Sequence, residues 1–225
     1  MSKRNVVLGA LLAAASPFLM GNAAAVPVNW TDWLTISSPI ALGNMGGVTV
    51  TATATSGPMN GPSQTACGNN WWTQPNPASP AYTGGSVSNA PTPCEQVGLN
   101  SPVSITVSFS APVTNLYMAL LSVGQPNYTV TYDFDTAFTI DSEGQGFWGD
   151  GIYVLGAGDT LAADEFHGVL AFAGPISSLS FTTSPNENWH AFTFGFAATA
   201  VPEPGTMAVL SLGLAGLALA RRRRR

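Results

Sequence analysis

Val103-Ser-Ile-Thr-Val-Ser-Phe109 places an apolar side chain at every second position and a hydroxyl-bearing one between. Successive side chains of a β-strand point to opposite faces, so this stretch reads as a strand with one face in a core and the other in water. Val48-Thr-Val-Thr-Ala-Thr-Ala54 repeats the pattern, as do Tyr128-Thr-Val-Thr-Tyr-Asp-Phe134, Leu179-Ser-Phe181 and Phe192-Thr-Phe-Gly-Phe196. Less regular apolar runs lie at 116–123, 137–140, 152–155 and 169–172. Turn formers separate them at Gly46-Gly47, Gly57-Pro58, 110–112, 124–127, 149–151, 156–158 and Gly174-Pro175. About nine short strands at this spacing, with no amphipathic helix and no fixed repeat, predict an all-β chain. The expected form is a single β-sandwich, jelly-roll-like, with an eight-stranded closed barrel as the alternative.

The charges divide the chain. All seven basic residues stand at its extremities: Lys3 and Arg4 at the start, then Arg221, Arg222, Arg223, Arg224 and Arg225 at the end. Lys3 and Arg4 precede an apolar run from Val6 to Ala15, and Ala23-Ala24-Ala25 follows with the small side chains a signal peptidase accepts. Residues 1–25 are therefore expected to be a signal peptide cut after Ala25. Gly205 to Ala220 is uncharged and rich in Leu, Ala and Gly. As a helix it would reach about 24 Å against a hydrocarbon core of about 30 Å, a gap that snorkelling and bilayer thinning can close. Arginines are very costly to draw through lipid, so residues 221–225 should hold this transmembrane helix in the inner membrane with its end in the cytoplasm.

Val201-Pro202-Glu203-Pro204, the apolar segment 205–220 and the arginine cluster 221–225 together resemble the PEP-CTERM sorting signal of exported bacterial proteins. The resemblance covers residues 201–225. It implies a second partner, an exosortase, the membrane cysteine protease of such systems, which is thought to cut near the Pro-Glu-Pro motif. Val201, Pro202, Glu203 and Pro204 would then be recognition residues. The implied destination is the membrane until processing, then the cell surface or an extracellular matrix rich in polysaccharide.

Between the signals lies a domain of about 175 residues, 26–200, long enough for one substantial core. It holds eleven of the twelve acidic residues, all but Glu203, and none of the seven basic ones, a formal charge of −11. Nucleic acid and anionic lipid are poor partners for such a surface. Residues 57–100 break the strand rhythm with Pro, Gly, Asn and Ser and contain both cysteines, Cys67 and Cys94. In an exported chain two cysteines are expected to form one disulfide, closing a loop of about 28 residues and worth about 3–4 kcal/mol.

That stapled loop carries Asn69-Asn70-Trp71-Trp72-Thr73-Gln74, and adjacent tryptophans in a loop do not easily enter one core together. Aromatic faces beside amide groups are the usual makings of a carbohydrate site. Trp148, set among glycines in 144–151, and Trp189, just before the last strand, join Trp71 and Trp72 as candidate glycan-binding residues. Asp133, Asp135, Asp141 and Glu143 are a candidate Ca²⁺ set, although no EF-hand spacing is present. No other cofactor is implied. A glycan-active hydrolase could use Glu143 with Glu187, or His167 or His190 beside a serine, yet no catalytic motif selects these residues. The expected role is a non-catalytic, polysaccharide-associated surface protein. A purely structural or adhesive protein without a glycan site is the first alternative, and a secreted glycan-active enzyme the second.

Overall fold

The computed structural model describes residues 25–66, 68–73, 80–92 and 95–197. The first strands are β1 (Val28–Trp30), β2 (Asp32–Ser37), β3 (Ile40–Met45), β4 (Val48–Ser56) and β5 (Val97–Leu99). β6 (Val103–Val113), β7 (Leu116–Val123), β8 (Val130–Phe134), β9 (Phe138–Glu143) and β10 (Ile152–Leu155) follow. β11 (Thr160–Asp164), β12 (Phe166–Phe172), β13 (Ile176–Ser184) and β14 (His190–Ala197) complete the fold. Eight strands form one sheet in the order β10-β11-β8-β13-β6-β4-β3-β2. The other sheet runs β1-β14-β7-β12-β9, with β5 also paired to β14. Every strand pair is antiparallel. The two sheets pack as a β-sandwich and stay open at their edges, so the closed barrel does not form.

The alternating stretches fold as their period dictates. On β6, Val103, Ile105, Val107 and Phe109 are buried while Ser104, Thr106 and Ser108 face outward. They meet Leu116, Met118, Leu120, Phe192 and Phe194 from the opposite sheet in one core. The strand continues through 110–112, where turn residues predict its end. The register against β13 slips between Ile176 and Ser178, a bulge that accommodates Pro112, which has no N–H to donate.

β7 explains the irregular run at 116–123, because each of its residues is buried. Leu116, Met118 and Leu120 enter the central core, while Tyr117, Ala119 and Leu121 enter a second cluster with Val169 and Ala191. Trp72, Ala81, Tyr82 and Val87, all from the 57–100 insertion, complete that second cluster. The insertion is thus a third layer over the six-stranded sheet. A strand covered on both faces has no reason to alternate.

One buried acid tunes this scaffold. Trp33 is fully buried and its backbone N–H donates to Glu95 Oε2 at 2.8 Å. Burial raises the Glu95 carboxyl from its ordinary 4.5; the Trp33 N–H works against that rise and Asp32 adds to it. The folded chain therefore holds this proton more tightly than the unfolded chain, and stability falls as pH rises through that window. Glu95→Gln keeps an acceptor for Trp33 and removes the buried charge. Its melting temperature should exceed that of the parent at pH 7, and the gain should shrink as pH falls towards 4.5. A lower melting temperature at pH 7 would contradict the assignment.

Candidate functional site

Three loops meet at one end of the sandwich. Gly144–Gly151 is laid directly on β12: the Gly144 N–H reaches the His167 carbonyl at 3.2 Å and the Gly151 N–H the Glu165 carbonyl at 3.0 Å. A Cβ at Gly146 would stand 2.1 Å from the His167 ring, so only glycine permits this approach. The Gly146 N–H then bonds the Gly149 carbonyl at 2.7 Å, closing a turn whose two central residues are Phe147 and Trp148. The turn presents Trp148 outward, 46% exposed.

Trp71 arrives from the insertion, its centroid 5.0 Å from Trp148 with the rings tilted by 30°. Gln64 positions it by using both ends of its amide on Asn69: Nε2 donates to the Asn69 carbonyl at 3.1 Å and Oε1 accepts the Asn69 N–H at 3.0 Å. Trp189 arrives from the β13–β14 connection, 5.2 Å from Trp148. Its Nε1–H donates to the Pro62 carbonyl at 2.8 Å, fixing the indole plane. That bond needs a glycine at position 98, where a Cβ would lie 2.1 Å from the Pro62 oxygen and 2.7 Å from Trp189 Nε1.

These tryptophans wall a cavity of about 290 Å³, completed by Pro62, Gln64, Asn69 and Gln96. Gln96 is 2% exposed, and its Oε1 is a buried acceptor without a partner. A buried amide oxygen without a donor costs free energy. The arrangement is an apolar ring platform edged by a few amides, suited chemically to stacking a sugar ring and bonding its hydroxyls.

The tail gives a separate finding. Residues 200–225 match the PEP-CTERM protein-sorting motif. The motif implies an exported protein, anchored in the membrane and then processed by an exosortase. No curated protein and no solved structure matches the chain. The expected signal peptide up to residue 24, the motif residues 201–204, the apolar segment 205–220 and the arginines 221–225 lie outside the described residues. So do Cys67 and Cys94. Among the described residues no helix is long and apolar enough to cross a membrane.

Of the four candidate glycan-binding tryptophans, Trp71, Trp148 and Trp189 come together and Trp72 does not. Trp72 is 2% exposed and packs edge-on against Tyr82 at 5.2 Å. It is the anchor of the third layer, because the chain turns at 71–73 and sends neighbouring side chains opposite ways.

The four residues of the Ca²⁺ set do not come together at one place either. Asp133 lies on β8 in the eight-stranded sheet and Asp135 just beyond it, whereas Asp141 and Glu143 lie on β9 in the other sheet. Asp135 accepts the Ser180 N–H at 2.9 Å, and Asp141 accepts the N–H and Oγ–H of Ser86, tying down the insertion. Among the described residues no three His, Cys, Asp or Glu side chains converge to hold a metal.

The residues weighed for catalysis separate likewise. Glu143 is exposed at the end of β9. Glu187 is buried, with Oε2 accepting the Gly124 N–H at 2.7 Å and Oε1 3.2 Å from His190 Nδ1. His167 is buried between Tyr82 and Glu165.

Sequence reasoning missed Pro62, Gln96, Ser122 and Glu165. None carried a local signal: Glu165 stands between β11 and β12 with a left-handed φ of 65°, which no sequence period announces.

Proposed function

We propose that the exported domain is a non-catalytic, polysaccharide-associated module whose binding surface is the platform of Trp71, Trp148 and Trp189. The observation that carries this is the convergence of three indoles from three separate loops around one cavity edged by amide side chains. A monomer has little reason to hold a half-exposed tryptophan between glycines unless something covers it, and sugar rings suit the exposed face. The sorting motif supports this reading, because it implies export, and such polymers are found outside the cell.

The test is co-sedimentation of the full chain with the producing cell's own extracellular polysaccharide. Retention that is lost in a Trp71→Ala, Trp189→Ala double variant that remains folded is the expected result. Equal retention of both proteins would sink the proposal. A purely structural role is the second reading, favoured by β10. Ile152 and Val154 are 73% and 66% exposed on this open edge, where another chain can add a strand. In that case the chain should self-associate without polysaccharide.

A further inference from the structure

The aromatic surface does not end at the amide-lined cavity. On the other side of Trp148 and Trp189 lies a second cavity of about 320 Å³, lined also by Ser122, Gln125 and Glu165. A third, of about 300 Å³, runs from Trp148 past Asp150 and Asp164 to the same Glu165. Trp148 borders all three cavities, and Glu165 borders the last two.

Glu165 is 6% exposed and tightly oriented. Its Oε1 accepts the Ser122 Oγ–H at 2.6 Å and lies 3.1 Å from His167 Nε2. The direction of the second bond follows from the other side of the ring. Burial, with Glu165 second, holds the Tyr82 hydroxyl well above 10.0, so it keeps its proton. It donates that proton to His167 Nδ1 at 2.9 Å, and the Ser122 N–H points to the same nitrogen at 3.3 Å. The imidazole hydrogen therefore sits on Nε2 and is donated to Glu165 Oε1. Glu165 Oε2 bonds no described residue.

The backbone bends to make this arrangement. Ser122 and Glu165 take left-handed φ values of 55° and 65°, uncommon for side chains other than glycine. They flank the point where β12 slips its register against β7, between Phe166 and Gly168. Such residues persist where the surroundings fix them, and they gather at ligand sites.

We propose that these two cavities form a subsite for the free amino group of a 2-amino sugar, next to a ring stacked on Trp148. The inference rests on the platform reading above and names its ligand as a polysaccharide with unacetylated amines. An ammonium group would supply the donor that Oε2 lacks, and it is attracted to an indole face within about 6 Å. Asp150 and Asp164 add the same sign of field, and residues 26–200 contain no Lys or Arg to oppose it. A uronate would meet only like charge.

The experiment titrates the full chain, in mild detergent, with hexamers of glucosamine, N-acetylglucosamine and galacturonate. The glucosamine hexamer should bind at least about tenfold tighter than its acetylated counterpart, the scale of one hydrogen bond to a charged group. Galacturonate should not bind. Glu165→Gln, which keeps an acceptor for Ser122 and His167, should abolish the preference. Asp150→Asn, at an exposed position that cannot disturb the core, should reduce it less. Asp133→Asn, which removes the same charge on β8, should leave the preference intact.

Equal binding of the amine and acetylated hexamers would overturn the subsite and leave the platform standing. Equal losses from Glu165→Gln and Asp133→Asn would overturn it too, as attraction by net charge alone. Binding of neither hexamer would overturn the subsite, while co-sedimentation with the cell's own polysaccharide decides the platform separately.

Discussion

Trp148→Ala should reduce affinity for the polysaccharide about 30- to 700-fold while the chain remains folded, the effect of losing a binding anchor worth about 2–4 kcal/mol. The size follows from position. Trp148 is the one residue common to all three cavities, and the rings of Trp71, Phe147 and Trp189 lie within 5.2 Å of it. Removing it therefore breaks the platform in the middle. The stability cost should be a few degrees, because a side chain already 46% exposed gives up little burial. Trp72→Ala should behave oppositely. Trp72 is 2% exposed in the layer over β7, and its truncation should cost about 3–5 kcal/mol. In a domain of this size that lowers the melting temperature on the order of 10 °C. Binding isotherms at a temperature where both variants are folded separate the two roles. If Trp148→Ala binds like the parent, the platform is not the binding surface.

The difference between those two tryptophans shows how far the sequence can be read. Period 2 on β4, β6, β8 and β13 was plain, because each has one face in the core and one towards solvent; β14 alternates as well, although both of its faces are buried. β7 and β12 showed no period, because the third layer buries their outer faces. β1, β2, β3, β5 and β11 were not anticipated at all. β1 and β5 have three residues each, too few to display a period, and β2 carries a bulge between Trp33 and Thr35. The aromatic residues of the site were legible as types in the right loops. Their convergence was not, since positions 71, 148 and 189 meet only through sheet topology. Gln96 and Ser122 were invisible for a different reason: one is made notable by a missing partner and the other by a left-handed φ. Neither property exists before the chain folds. The sorting signal is the reverse case, a message carried in order and composition, read from residues 201–225 without any fold.

Reduction of the native chain should lower its melting temperature by about 7–14 °C, the consequence of losing about 3.5 kcal/mol of loop-closure entropy. The argument starts from the described residues on either side of the cysteines. Gln64 and Gln96 form an antiparallel bridge, exchanging backbone hydrogen bonds of 3.0 and 3.2 Å. Cys67 comes three residues after the first and Cys94 two residues before the second. A cysteine so few residues from each partner of one bridge suits the Cα span of about 4.4–6.8 Å that a disulfide requires. We therefore propose the Cys67–Cys94 disulfide. The bond would close the insertion that carries Trp71 and Trp72, so reduction should weaken polysaccharide retention as well as stability. A free-thiol titration of the native, exported chain checks the bond directly, with no reactive thiol expected before reduction and two after it. Two reactive thiols in the native chain would remove the disulfide. Anchoring of the insertion would then fall to the Gln64–Gln96 bridge, the Ser86–Asp141 contacts and the burial of Trp72 and Tyr82.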